Sequence, residues 1–318
     1  MGGGKRKLVG KTGTYVISLK YPSKLLDTLH NNDLDPILFN GILGKRASEK
    51  IISNHIHPLY SKIAPYSSIG CALSHLMVWK AFLKSDNDYA IIFEDDVIID
   101  KSDIKLGGVI NKYIRKAPKD FDILYLGCFG SEGDNLFVYL MKLLGNISKE
   151  FIVNAFIKHP RVALASHAYI LSKGGASKLI DNLDGKIYNH IDFCIQKLSS
   201  IGLINRYVTI PRLIYQTSSN LDTVSNNVSN NHPILINNIF SKYNIDKGVK
   251  ASYITTLSVF RIGSFNITIS TILLLILFLF LDIYNYIVII ILISLPEIGD
   301  VFYDYIMCCK AEPVDVVV

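Results

Sequence analysis

The stretch Asp88–Val97, DYAIIFEDDV, decides how the rest of the chain is read. Tyr89 to Phe93 is a short, almost wholly apolar run, the pattern of a strand buried on both faces of a sheet. Glu94, Asp95 and Asp96 follow it directly, and Val97 resumes the apolar pattern. Three adjacent carboxylates repel one another and are costly to desolvate at a sheet edge unless a cation compensates. Oxygen ligands of this kind suit Mn²⁺ or Mg²⁺, which in turn bridge nucleotide phosphates. Ligands of open α/β sheets collect at the carboxyl ends of strands, where this triplet would stand. A solvated acidic turn satisfies the same three residues, so the triplet alone decides little.

Working outward, Thr14–Leu19 (TYVISL) reads as a strand, and Leu25, Leu26 and Leu29 give the following segment helical spacing. Pro36–Phe39 suggests a second strand, closed by Asn40-Gly41. Gly70–Leu83 is an amphipathic helix by its apolar spacing, with Gly70 and Ser74 as helix-start residues whose backbone donors would face an anion. Phe121–Leu126 and Ala168–Leu171 are further apolar runs, the latter followed by a helical pattern from Ala176 to Leu183. This alternation predicts an α/β fold with a mostly parallel, Rossmann-like sheet flanked by helices. Ser218–Asn238, rich in Ser and Asn, reads as a loop or linker.

At 318 residues the chain holds one large domain and an appendage. The boundaries expected are a basic tail over 1–13, the catalytic-type domain over 14–240, a basic linker over 241–264, a hydrophobic segment over 265–295 and an acidic tail over 296–318. A net charge of +6, with acids and bases interleaved, gives no nucleic-acid footprint; it suits an anionic membrane surface or a phosphate-bearing substrate. The five cysteines, Cys71, Cys128, Cys194, Cys308 and Cys309, contain no CxxC pair, which argues against zinc and against a disulfide framework and for a reducing compartment. The N-terminus has no apolar run of signal-peptide length, and Arg6 stands where a myristoylation motif wants Ser or Thr.

The skew of 50% apolar against 19% charged residues comes mostly from Ile267–Leu295, a stretch of roughly 43 Å as a helix against a hydrocarbon core of about 30 Å. Asp282 costs about 3 kcal/mol at mid-membrane, less than the Ile, Leu, Val and Phe around it return. A single span and a hairpin both fit. Lys242, Lys247, Lys250 and Arg261 precede the segment, whereas Lys310 follows it among five acids, so the positive-inside rule places the preceding domain in the cytosol, anchored C-terminally to membrane lipid. Palmitoylation of Cys308-Cys309 is open to the hairpin arrangement. The Asn-x-Ser/Thr triplets at Asn146, Asn227 and Asn266 are read as chance in an Asn-rich chain.

GCALSHLMVWK (Gly70–Lys80) followed by DYAIIFEDDV strongly resembles glycosyltransferase family 25, which includes lipopolysaccharide glycosyltransferases and procollagen galactosyltransferases. In order along the chain, YVISLK, FNGILGK, FDILYLG, SHAYILSKGGASKLI, IDFCIQKL and IPRLIYQTSSNLDTVSN resemble further segments of the family, covering roughly Thr14–Asn226. The resemblance implies a GT-A fold and inverting transfer of a hexose, galactose or glucose, from a UDP-sugar to a hydroxyl of a glycan, lipid-linked glycan or protein. It implies Glu94 and Asp96 as metal and ribose-side contacts with Asp95 between them, and Asp192 as base or second-site ligand, where a helix N-cap is the structural alternative. Ser18, Leu19, Lys20, Ser74 and His75 join Glu94 and Asp95 on the donor side. Ser18-Leu19-Lys20 departs from the family's usual sequence there, so contacts to the nucleotide base are expected to differ. His190 is a further metal or phosphate candidate, His167 and Tyr169 border the acceptor in this reading, and Ser218, Ser219 and Asp222 supply a lid. An inactive membrane-tethered nucleotide-sugar-binding or scaffold protein is the rival reading, and a nucleotidyltransferase uses paired acids in the same way.

Overall fold

The computed structural model describes residues 10–99, 105–131, 136–216, 244–246, 249–250, 258–263 and 265–280. In chain order the elements are β1 (Thr12–Ser18), α1 (Ser23–His30), β2 (Pro36–Asn40), a 3₁₀ turn (Gly44–Arg46), α2 (Glu49–His55), α3 (Pro58–Ile63), α4 (Tyr66–Lys84), β3 (Tyr89–Glu94), β4 (Val97–Ile99), α5 (Leu106–Lys116) and β5 (Ile123–Phe129). There follow α6 (Leu136–Leu143), β6 (Phe151–Asn154), β7 (Ile157–His159), β8 (Leu164–Ser172), α7 (Lys173–Leu183), α8 (Ile191–Ser200), β9 (Arg206–Thr209) and β10 (Ile214–Gln216). The last described elements are β11 (Asn244–Asp246), β12 (Val249–Lys250), β13 (Ser258–Ile262), β14 (Phe265–Thr268) and α9 (Ile269–Phe280).

Eight strands form the central sheet in the order β2-β1-β3-β8-β5-β9-β7-β6. The alternation of side chains along β3 shows why it carries both cores. Ile92 packs with Tyr15, Tyr125 and Tyr169 under α4, α7 and α8, whereas Ile91 and Phe93 turn to the opposite face with Val16 and Leu124, under α1 and α5. Burying each such side chain contributes about 1.5–3 kcal/mol. The expectation of a mostly parallel sheet is corrected: only β1–β2, β1–β3 and β5–β9 run parallel, and β8 lies antiparallel between β3 and β5. Between β5 and β8 the chain makes an excursion through α6 and the β6–β7 hairpin, not one right-handed crossover helix, so nothing obliges β8 to run parallel.

The expected helix start at Gly70 is also corrected. The helix begins at Tyr66, after Pro65, and Pro65 holds Ala64 extended so that α3 ends there. Gly70 lies inside α4, where its missing side chain admits another backbone: a Cβ on Gly70 would stand 2.4 Å from the Ile42 carbonyl oxygen, and one on Gly44 would stand 1.8 Å from that of Tyr66. Ser74 completes this joint, accepting from the Ile42 N–H at 2.8 Å and donating to the Gly70 carbonyl at 2.7 Å.

Four of the six residues Phe265–Ser270, at the start of the expected membrane segment, form strand β14, paired with β13. Among the described residues no helix is long and apolar enough to cross a membrane; α9 has 12 residues, and Leu281–Leu295 lie outside the described residues. The 241–264 linker includes β11, β12 and β13. Arg261 fastens the β13–β14 hairpin to the main domain: its guanidinium donates to the Ala64 carbonyl at 2.7 Å and the Ser61 carbonyl at 2.8 Å, and lies 4.1 Å from the centre of the Tyr66 ring.

Candidate active site

The acidic triplet stands at the carboxyl end of β3, where Glu94 is the last strand residue and Asp95-Asp96 form the turn into β4. Each carboxylate is held by a different element. Glu94 accepts from His75 Nε2 on α4 at 3.0 Å. Asp95 accepts from the hydroxyl of Ser18, the last residue of β1, at 2.5 Å. Asp96 accepts from the side-chain amide of Gln216 on β10 at 2.6 Å, placed there by the antiparallel pairing of Val97 with Gln216. The helix α4 and the strands β1 and β10 together set the geometry of the triplet.

Behind Glu94 lies a buried relay. Trp79 Nε1 donates to the Tyr169 hydroxyl at 2.8 Å, and that hydroxyl meets His75 Nδ1 at 2.9 Å. With Nδ1 accepting from the Tyr169 hydroxyl, the imidazole carries its proton on Nε2 and donates it to Glu94, so every donor in the relay has an acceptor. His75 is 1% exposed and Glu94 24%, so the relay is sealed on one side and opens on the other.

Burial works to raise the Glu94 pKa, but the hydrogen bond and charge of His75, with the charge of His167, hold it below the ordinary carboxylate range. Asp96 goes the other way. Burial first, then the neighbouring charge of Glu94, push it well above its usual value, and the Gln216 amide does not offset them. Burial likewise raises Asp95, against the pull of the Ser18 hydroxyl. Asp96 Oδ1 and Gln216 Oε1 are buried without a protein partner. Hard oxygen atoms left open beside a carboxylate are donors of the kind that Mn²⁺ or Mg²⁺ takes, so Asp96 and Glu94 fit a divalent cation in their chemistry, although Asp95 and Asp96 do not join Glu94 in a group of three ligating atoms within 4.8 Å of one another among the described residues.

Asp192 lies in the first turn of α8, not at the N-cap, which is His190. Its carboxylate accepts from the Ala165 N–H at 3.0 Å and the Phe193 N–H at 2.8 Å. Ala165, at the entry to β8, has φ of 68°, a left-handed conformation that a residue with a Cβ adopts at a cost. Cys71 feels both acidic groups: burial first, then the charges of Glu94, Asp192 and Asp96, push its thiol up.

The structure thus gathers Ser18, His75, Glu94, Asp95 and Asp96 of the residues singled out in the sequence. The backbone N–H of Leu19 supports Asp95, whereas the Lys20 side chain is exposed and only its backbone joins, donating to Ser18 Oγ at 3.2 Å. Ser74 turns into the helix–loop joint. His190 is not among the ligating atoms found within 4.8 Å of one another, which among the described residues are those of Cys71, His75 and Glu94; its ring lies 6.4 Å from that of Phe193. His167 is fully buried, its Nε2 2.4 Å from where a Cβ on Gly127 would stand. Ser218, Ser219 and Asp222 lie outside the described residues. Sequence reasoning missed Gln216, whose one signal is a polar residue closing the apolar run IYQ, and it assigned Trp79 and Cys71 no chemistry.

The sequence profile described as glycosyltransferase family 25 (LPS biosynthesis protein) matches residues 11–195, which include every one of these elements up to Asp192. The chain belongs to glycosyltransferase family 25. Within the family, procollagen galactosyltransferase 2 of Mus musculus and that of Homo sapiens are each 27% identical over 112 residues, 33% of this chain and 18% of theirs. The match spans about a fifth of the length of these curated relatives. Among solved structures, A197 from STIV is 12% identical over 67% of this chain and 97% of its own, and mouse xyloside xylosyltransferase 1 is 8% identical over 61% and 71%. Both have a TM-score of 0.31, too low to carry an argument about this family 25 chain.

Proposed function

We propose that this family 25 chain transfers a hexose, galactose or glucose, from a UDP-sugar to a hydroxyl of a glycan, lipid-linked glycan or protein, with inversion and with a divalent cation at Glu94–Asp96. The observation that carries this reading is the end of β3, where three carboxylates are held by three separate elements and a buried Asp96 oxygen is left open.

When bound there, Mn²⁺ or Mg²⁺ supplies the Lewis acidity that neutralises charge on a departing diphosphate. Asp96 and Glu94 would hold it. Ser18 and Gln216 fix the carboxylates on either side so that little reorganisation is needed as charge develops. The sealed Trp79–Tyr169–His75 relay fixes the rotamer of Glu94 and keeps it ionised. Asp192 takes the proton of the acceptor hydroxyl in this reading, which requires an ionised carboxylate facing the acceptor. The hydrogen bond from the Ala165 N–H aims it.

In this reading the hydrophobic stretch that follows β14, Ile269 to Leu295, anchors the chain to a membrane, with the basic residues Lys242, Lys247, Lys250 and Arg261 on the cytosolic side, where UDP-sugars are made. A panel of UDP-hexoses assayed for UDP release with Mn²⁺, Mg²⁺ or chelator tests the activity. Metal-dependent release from one donor, lost in Asp96→Asn, is expected. Release unaffected by chelation overturns the metal role, and UDP binding without sugar release with any donor favours a binding protein.

A further inference from the structure

Cys71 and His75 lie four residues apart on α4 and so present their side chains on one face of the helix, one turn from each other. Glu94 approaches the same face from the end of β3, and Cys71 Sγ, a His75 ring nitrogen and a Glu94 oxygen all lie within 4.8 Å of one another. We propose that Cys71, His75 and Glu94 form a site for a thiophilic divalent ion of the Zn²⁺ class, which differs in its donor chemistry from the all-oxygen set of Glu94 and Asp96 and shares Glu94 with it.

Three features point to zinc and not to a hard cation. A sulfur, a nitrogen and an oxygen ligand make a mixed set that Zn²⁺ accepts and that Mg²⁺ and Mn²⁺ do not favour. Ligand atoms about 2.0–2.3 Å from a tetrahedral zinc stand roughly 3.3–3.6 Å from each other, so the His75–Glu94 pair at 3.0 Å needs to open slightly, and the sulfur, within 4.8 Å of both, needs only a small adjustment to join them. The second shell is already present: a metal at Nε2 leaves the imidazole proton on Nδ1, facing the Tyr169 hydroxyl that Trp79 orients. The absence of a CxxC pair does not bear on this set, since the helix supplies the spacing.

Binding converts the Cys71 thiol to a thiolate. One S–H bond is lost, one S–Zn bond forms, and one proton leaves to solvent for each ion taken up, with no change of oxidation state. Because Glu94 belongs to both sets, zinc draws it away from the hard-cation position and opposes Mn²⁺-dependent turnover; this second consequence, unlike the binding itself, rests on the function proposed above.

The test uses the full chain carrying Cys308→Ser and Cys309→Ser, so that the adjacent pair in the tail takes no metal. Zinc uptake is measured against a chromophoric chelator, and Co²⁺ is used as a spectroscopic stand-in. One ion per chain, one proton released, and a thiolate-to-cobalt charge-transfer band are expected. In Cys71→Ser the band disappears and zinc affinity falls by at least roughly tenfold, since loss of an outer-shell partner alone already costs roughly 10–100-fold. Circular dichroism on Cys71→Ser and Cys71→Ala verifies folding. Undiminished zinc affinity in both folded variants, or no charge-transfer band in the parent, overturns the site. Binding without inhibition of UDP-sugar turnover leaves the site standing and contradicts the shared role of Glu94.

Discussion

His75 Nε2 lies 3.0 Å from a Glu94 carboxylate oxygen, and this contact joins the helix that crosses the FNGILGK loop to the strand that ends in the acidic triplet. The imidazole is buried and the carboxylate is not fully so, which makes His75 a positioning residue for the group that faces the ligand.

His75→Ala removes that support without touching Asp95 or Asp96. Loss of a partner of this kind costs roughly 10–100-fold in metal affinity or activity. The measurement is the Mn²⁺ concentration for half-maximal turnover alongside kcat. An unchanged metal dependence would show that Glu94 orients itself.

Tyr169→Phe leaves the Trp79 N–H and His75 Nδ1 without their shared partner in a buried place. The expected loss of stability is about 1–3 kcal/mol, read from urea unfolding at pH 7. A loss well below 1 kcal/mol would mean that water reaches the relay.

Gly44→Ala meets backbone, since its Cβ would stand 1.8 Å from the Tyr66 carbonyl oxygen. Neither chain can yield by a rotamer change, so the loop must leave the helix and take Ile42 away from Ser74. A destabilisation above about 2 kcal/mol is expected in thermal unfolding, against a near-neutral Gly108→Ala, where nothing lies within 4 Å.

Asp184 gives stability a pH dependence. Burial works to raise its pKa, but Lys80 at 2.7 Å and His55 at 2.5 Å hold it below the ordinary range. A carboxyl depressed in the folded state binds fewer protons there than in the unfolded chain. Its contribution is therefore complete above the unfolded value of about 3.9 and is lost as pH falls through the lower folded value. Asp184→Asn removes about 1 kcal/mol at pH 7 and flattens the stability profile below about pH 4. A wild-type-like slope in the variant would assign that acid sensitivity elsewhere.

Much of the site was legible in the sequence because its residues close strands that announce themselves. YAIIF is apolar on both faces, so Glu94 had to stand at a sheet edge, and TYVIS likewise delivered Ser18. Strand direction was not legible: β8 shows the same apolar run whether it lies parallel or antiparallel, and its direction follows from the path through α6 and the β6–β7 hairpin. The start of α4 was misplaced because Gly70 and Ser74 resemble capping residues, whereas their small size serves the crossing with Gly44 and Ile42. Gln216 reaches Asp96 only through the pairing of β4 with β10, two three-residue strands 117 positions apart between their first residues and too short to signal a partner. His190 was proposed as a ligand for lying beside Asp192, yet as the N-cap of α8 it contributes its backbone while its ring turns toward Phe193.

The central claim is that the end of β3 grips a nucleotide diphosphate through a divalent cation. Calorimetric titration of UDP into the full chain, with Mn²⁺ and after chelation, tests it most directly. The account predicts binding with Mn²⁺ that weakens at least roughly tenfold on chelation and again in Asp96→Asn, whose folding is verified independently. Equal UDP affinity in all three conditions would contradict it.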